Sequence, residues 1–171
     1  MPPENSAAAP SKTWLWYVIG GVVVLIILAF IFMRGPVSLM GSGIGADQNI
    51  DGSTTYTDQQ GNTATVGGNS MPENWPSDAP ANYAGASIQY SGNSNPQSGT
   101  AGAAVVYTVN ASVQSVVDYY KAQLSSKGWT IVGTANVGGA TVLSATKDER
   151  SFATQIVSNG SSVTVTAGIE L

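Results

Sequence analysis

Between Asp47 and Asp58 the chain sets oxygen-bearing side chains at nearly alternate positions: Asp47, Asn49, Asp51, Ser53, Thr55 and Asp58, with Gly52 among them. The spacing matches positions 1, 3, 5, 7, 9 and 12 of a calcium loop of the EF-hand type, with the glycine at position 6. Hard cations take such oxygens, and the glycine permits the sharp turn they need. The match departs from the template in three ways. Asp58 is shorter than the bidentate Glu of that loop, Thr54 stands where an apolar anchor belongs, and Ser42-Gly43-Ile44-Gly45 cannot supply a preceding helix. The same residues also read as an Asp/Asn/Gly turn. These six side chains are the calcium candidates, and no other cofactor is implied.

Other chemistry has little to work with. The sequence has no Cys and no His, which removes thiolate ligands, disulfides, Cys nucleophiles and every His-based triad. An enzyme would have to use Asp47, Asp51, Asp58, Glu73, Asp78, Asp118, Asp148, Glu149, Glu170 and hydroxyls; most of these acids fall on turns or exposed faces, where carboxylates are solvated. Paired carboxylates of the glycosidase kind would have to come from this set. No Ser-x-x-Lys, Gly-x-Ser-x-Gly or phosphate-binding loop occurs. The bases are Lys12, Arg34, Lys121, Lys127, Lys147 and Arg150, against ten acids, for a net charge of −4. That set forms no basic patch for nucleic acid. The expectation is a non-enzymatic protein without a nucleic-acid partner.

Trp14 to Met33, WLWYVIGGVVVLIILAFIFM, contains no charged residue. Twenty helical residues span about 30 Å, the thickness of a hydrocarbon core. Trp14, Trp16 and Tyr17 suit a headgroup layer, Lys12 and Arg34 bracket the run, and Gly35-Pro36 stops a helix. This predicts a single-pass transmembrane helix at 14–33, with the lipid bilayer as a partner. Residues 35–120 carry no Lys or Arg, which favours a cytoplasmic N-terminus and a C-terminal domain outside the cell membrane. A pilin-like arrangement is rejected, because the helix ends at Gly35-Pro36 and holds no acid.

The remaining segments follow from composition. Residues 1–13 read as a disordered tail, 34–48 as a flexible Gly-rich stalk, 49–70 as a Thr-rich hairpin and 71–85 as a Pro-rich extended run. Residues 86–171 read as a small α+β domain. Ala86, Ile88 and Tyr90 alternate as a first strand; the loop SGNSNPQSGTAG follows; Val105, Tyr107 and Val109 alternate as a second. Ser112 is a good N-cap for a helix whose stripe is Val113, Val116, Val117, Tyr120 and Leu124, closed by Gly128. Four more strands are read from Trp129 to Leu171, with turns at Gly138-Gly139, Asp148-Glu149-Arg150 and Asn159-Gly160. The predicted order is ββαββββ, an antiparallel sheet with one amphipathic helix on one face. The strand at 163–169 is the candidate edge for self-association.

Trp75-Pro76-Ser77-Asp78-Ala79-Pro80, Tyr83-Ala84-Gly85-Ala86, Val117-Asp118-Tyr119-Tyr120-Lys121, Leu124 and Gly128-Trp129 together resemble a recurring pattern. It is that of membrane-anchored or lipoprotein-type envelope domains of bacteria, including candidate-phylum bacteria. Ala84 departs from the pattern, which has Pro there. The resemblance spans about residues 71–171 and implies an extracytoplasmic α+β domain but no activity and no site residue. The motif residues also have a packing explanation: Tyr120, Leu124 and Trp129 as core, Gly128 as a cap.

The function expected is therefore a non-catalytic, membrane-tethered domain that binds a protein or glycan partner at the cell envelope. A calcium- or ligand-responsive sensor head and a purely structural surface protein are the alternatives.

Overall fold

The computed structural model describes residues 45–59, 61–94 and 101–171. The expected transmembrane helix at 14–33, the tail and most of the stalk lie outside the described residues. Among the described residues no helix is long and apolar enough to cross a membrane.

The structure corrects the expected fold. In place of a small α+β sheet, the described residues form nine antiparallel strands and one short helix and are mostly β. The strands are β1 (Gly45–Gln48), β2 (Thr54–Thr57), β3 (Thr63–Val66), β4 (Ser87–Ser94) and β5 (Gly102–Val109). After helix α1 (Val113–Ser126) come β6 (Thr130–Val137), β7 (Ala140–Lys147), β8 (Arg150–Asn159) and β9 (Ser162–Glu170). Their order across the sheet is β1-β2-β3-β4-β5-β9-β8-β7-β6.

Three strands are thus added to one side. Gly45–Gln48, part of the expected stalk, pairs with β2, and β3 pairs with β4 from Thr63↔Asn93 to Val66↔Tyr90. The pairing needs a β4 longer than its apolar alternation indicates. Ser91, Gly92, Asn93 and Ser94, expected in a loop, continue the strand. Such residues have weak strand preference alone, but ladders on both sides satisfy their backbone here.

Two bulges also break the expected alternation. Between Ile88 and Tyr90 the register shifts, so Ile88 opposes Tyr107 while Tyr90 opposes Val106 on the other face. A second shift between Ile131 and Gly133 separates Ile131 from Gly133 and Ala135 in the same way. The strand at 163–169, expected at an edge, belongs to β9 and lies inside the sheet between β5 and β8.

The core forms on one face. Val105, Tyr107 and Val109 of β5 oppose Ala167, Val165 and Val163 of β9, and all are buried. Phe152 and Ile156 of β8 continue the layer toward Leu143 and Ala145 of β7. Helix α1 covers the β6–β8 part of this face with buried Val116, Val117, Tyr120 and Leu124. Burying a side chain such as Leu124 or Tyr120 contributes about 1.5–3 kcal/mol. Ser112 caps the helix, its hydroxyl accepting the Ser115 amide at 3.0 Å. At the other end Gly128 adopts φ +78°, and the amides of Gly128 and Trp129 bond back to the carbonyls of Ser125 and Leu124, a Schellman closure.

The Pro-rich run is fastened to this core. Pro72, Ala79 and Pro80 are buried, and Met71, Trp75 and Tyr83 pack against the core cluster. Trp129 Nε1 donates to Asp78 O at 2.6 Å, and Lys127 Nζ donates to Ser77 O and Ala79 O at 2.9 and 2.6 Å. The Asp78 carboxylate binds Lys147 and Arg150. Three of the chain's six basic residues thus hold one short segment.

Candidate functional site

Beyond the helix and the Pro-rich run, the same sheet face changes character. The register places Thr55 of β2, Thr65 of β3 and Ser91 of β4 in one row, and Thr63 and Asn93 in another. Ser91 opposes Val105 and Asn93 opposes Ala103, so these rows continue the core face as a polar floor. Residues 70–73 form a wall beside it, with Met71 and Pro72 as its apolar part. The result is an open cleft of about 390 Å³.

The β1–β2 turn closes one end. Asp51 Oδ1 accepts both the Ser53 amide at 3.0 Å and the Ser53 hydroxyl at 2.6 Å. Asn49 Nδ2 donates to Ser53 Oγ at 2.8 Å and to Thr55 Oγ1 at 3.0 Å. Thr55 Oγ1 in turn lies 2.9 Å from Thr65 Oγ1. Ser53 is buried beneath Gly68, where a Cβ would come within 3.2 Å of Thr65 Cγ2 and 3.4 Å of Ser53 Cβ. A hydrogen-bonded chain therefore runs from Asp51 through Ser53, Asn49 and Thr55 to Thr65. The two Ser53 hydrogen bonds, side chain first, hold the Asp51 carboxyl below its usual range. It stays ionised at neutral pH and accepts protons in hydrogen bonds without having one to give.

Of the six calcium candidates, Asn49, Asp51, Ser53 and Thr55 line this cleft. Asp47 sits on exposed β1 opposite Thr55. Asp58 lies past the far end of β2, about 13 Å of strand away at 3.3 Å per residue. There its carboxylate accepts the Asn62 amide at 2.8 Å and Asn62 Nδ2 at 2.6 Å. The stretch is a β-hairpin with a turn at each end of β2, so the six are not gathered around one point. Among the described residues no three His, Cys, Asp or Glu side chains group as metal ligands.

Sequence reasoning placed none of the other lining residues at this site, among them Thr63, Thr65, Ser70, Glu73, Ser91 and Asn93. The alternation of Thr63 with Thr65 and of Ser91 with Asn93 was a signal for one shared face. The bulge at Gln89 hid it by changing the phase of β4.

The cleft offers hydroxyls and amides that both donate and accept, and among the described residues Asp51 and Glu73 are the charged ones in its lining. Among the described residues it has no cation to neutralise an anion, and the one carboxylate–hydroxyl pair, Asp51 with Ser53, has its hydroxyl buried. The geometry suits hydrogen bonding to a neutral polar molecule.

A family model described as START domain-like matches residues 88–167, from β4 into β9. The similarity suggests a ligand-binding domain. The matched segment supplies most of the core and, to the cleft, Ser91, Gly92 and Asn93; the other lining residues precede it. No curated protein matches the chain, and no solved structure does.

Proposed function

We propose that this chain is a non-catalytic, membrane-tethered domain that binds an envelope glycan in the cleft on β2–β4. The observation that carries the reading is the lining itself. Thr63, Thr65, Ser70 and Asn93 line the cleft with half-buried or exposed hydroxyl and amide groups over the internally bonded Asn49, Ser53 and Thr55, and such donor-acceptor groups are what a polyhydroxylated, uncharged ligand needs. The lack of Lys and Arg in the lining disfavours anions. An Asp51 committed to Ser53 is a poor general acid, which supports binding over hydrolysis. Tethering rests on the charge-free run Trp14–Met33, and the outward orientation on the absence of Lys and Arg from 35–120.

The test is calorimetric titration of the full-length protein in detergent with soluble, neutral cell-wall oligosaccharides. Saturable binding is expected, weakened at least tenfold by Asn93→Ala and by Thr65→Ala while the circular dichroism stays constant. Binding that both variants leave unchanged, or the release of hydrolysed sugar, overturns the reading.

A further inference from the structure

We infer that two copies of this chain join edge to edge through β6, forming one continuous sheet across a two-fold axis. Among the described residues β6 has a neighbour, β7, on one side only. Every residue from Thr134 to Gly139 is exposed, and Val132 and Val137 are 48% and 63% exposed. An unpaired edge is ordinarily guarded by Lys, Pro or inward charge. From Trp129 to Thr146 this chain has no charged residue and no proline. Only the bulge before Gly133 disturbs the strand.

The hairpin fixes which backbone groups are free. Gly138 and Gly139 form a two-residue turn with φ of +59° and +83°, so Val137 and Ala140 close the ladder as a hydrogen-bonded pair. Alternation then directs the amides and carbonyls of Ala135 and Gly133 to β7 and those of Thr134 and Asn136 outward. The regular stretch after the bulge, Gly133–Val137, is centred on Ala135. An antiparallel copy about that centre sets Thr134 opposite the second copy's Asn136 and Gly133 opposite its Val137. Both outward residues of each copy are satisfied reciprocally, as a two-fold interface requires.

Charge selects this occupant and this edge. Asp47, Asp51 and Asp58 all lie on the β1–β2 hairpin and its following turn, at the far side of the nine-stranded sheet. Eight strand spacings put that side about 38 Å from β6, beyond a screening length of about 10 Å. Pairing through β6 keeps the acidic ends of two copies apart, whereas pairing through β1 sets them together.

Because the chain has no cysteine, one introduced thiol reports the contact. Full-length protein in detergent is made as Ala135→Cys, as Ser158→Cys on an interior strand, and as Thr134→Lys. Mild oxidation is expected to cross-link most of Ala135→Cys and little of Ser158→Cys. Sedimentation is expected to show a dimer that Thr134→Lys turns into a monomer with unchanged circular dichroism. A wild-type protein that stays monomeric overturns the inference, as does a dimer indifferent to Thr134→Lys or cross-linked equally through both cysteines.

Discussion

Arg150 grips Asp78 with both prongs of its guanidinium, Nη1 to Oδ1 at 2.9 Å and Nη2 to Oδ2 at 2.6 Å, across 72 positions of sequence. Lys147 adds a third bond to Oδ2 at 2.7 Å, and Arg150 also stacks 5.3 Å from the Trp129 ring centre. The carboxylate is what the β7–β8 hairpin holds, while the neighbouring carbonyls are held from the helix end. Replacing it by a neutral amide leaves two cations facing one acceptor. Asp78→Asn is expected to cost about 1–3 kcal/mol, at the lower end because the side chain is 34% exposed and solvent screens the pair. Thermal unfolding of Asp78→Asn, Arg150→Ala and the double variant measures it. Additive losses would mean the contact is incidental.

The same pair sets an acid limit. Hydrogen bonds from Arg150, then Lys147, push the Asp78 carboxyl far below its ordinary value of 3.8. With the folded value depressed, the unfolded chain takes up the proton first as pH falls. The stabilisation is therefore complete above about pH 5 and declines below about pH 4, toward the folded value. Melting temperatures from pH 5 down to pH 2 should fall steeply in the wild type and more gently in Asp78→Asn. Parallel curves would assign the acid limb to other carboxylates.

The helix was legible because each of its signals is local. Ser112, the stripe through Leu124, and Gly128 lie within one stretch whose spacing fixes both ends and the buried face. The Asp78 latch was not legible as a contact, since its partners lie 69 and 72 residues away. The sheet misled for a different reason. Alternation reports a strand's face only while its phase holds, and the bulges at Gln89 and Val132 change the phase without a mark in composition. Nor did the four-residue strands Gly-Ala-Asp-Gln, Thr-Thr-Tyr-Thr and Thr-Ala-Thr-Val carry enough apolar pattern to show that β1–β3 extend the main sheet. The cleft was half visible for the same reason. The turn residues Asn49, Asp51 and Ser53 are neighbours in sequence, but the floor from β3 and β4 exists only once the ladder is built.

Two tyrosines define an alkaline limit. Tyr107 and Tyr120 are buried with their hydroxyls 2.9 Å apart, and the Tyr83 amide donates to Tyr107 Oη at 3.3 Å. Burial pushes Tyr107 up to about 12, partly offset by its bond with Tyr120, and raises Tyr120 well above the ordinary range. Because the folded values are raised, the unfolded chain loses these protons first. Stability holds below about pH 10 and is lost as pH rises through the folded values. In a phenolate absorbance titration, these two rings should ionise only together with loss of the near-ultraviolet dichroism. Seven tyrosines ionising near pH 10 in a folded protein would contradict this.

Gly92 is the position where the β3–β4 contact tolerates least. A Cβ there would stand 2.9 Å from the backbone oxygen of Thr63 and would also strike Tyr90 Oη. The tyrosine can swing away; the Thr63 backbone, one residue from the ladder partner Ala64, cannot without parting β3 from β4. Gly92→Ala is expected to destabilise by about 1–3 kcal/mol and to raise amide exchange across Thr63–Val66 more than in the core strands. Uniform exchange throughout the domain would show that β3 moves with no independence from the rest.

Thr154 is a polar residue set within the apolar core. It lies on β8 between Phe152 and Ile156, opposite Leu143 on one side and Ala167 on the other, and is only 2% exposed. Its hydroxyl is buried and makes no well-aligned hydrogen bond among the described residues, but it lies close enough to the Tyr120 hydroxyl to lower that ring's pKa slightly against the larger effect of burial. The nearby Tyr120 hydroxyl already has a partner in Tyr107 at 2.9 Å, so Thr154 is not needed to satisfy it. Valine has nearly the same shape and nothing to desolvate. Thr154→Val should therefore stabilise the fold by about 1 kcal/mol and raise the melting temperature by a few degrees. If Thr154 instead serves as a second partner for Tyr120, valine destabilises and Tyr120→Phe suppresses that loss. Measuring both single variants and the double separates the two. A stabilising valine whose gain persists beside Tyr120→Phe means the hydroxyl only costs desolvation, whereas a loss confined to the Tyr120 background means the core network has three members, not two.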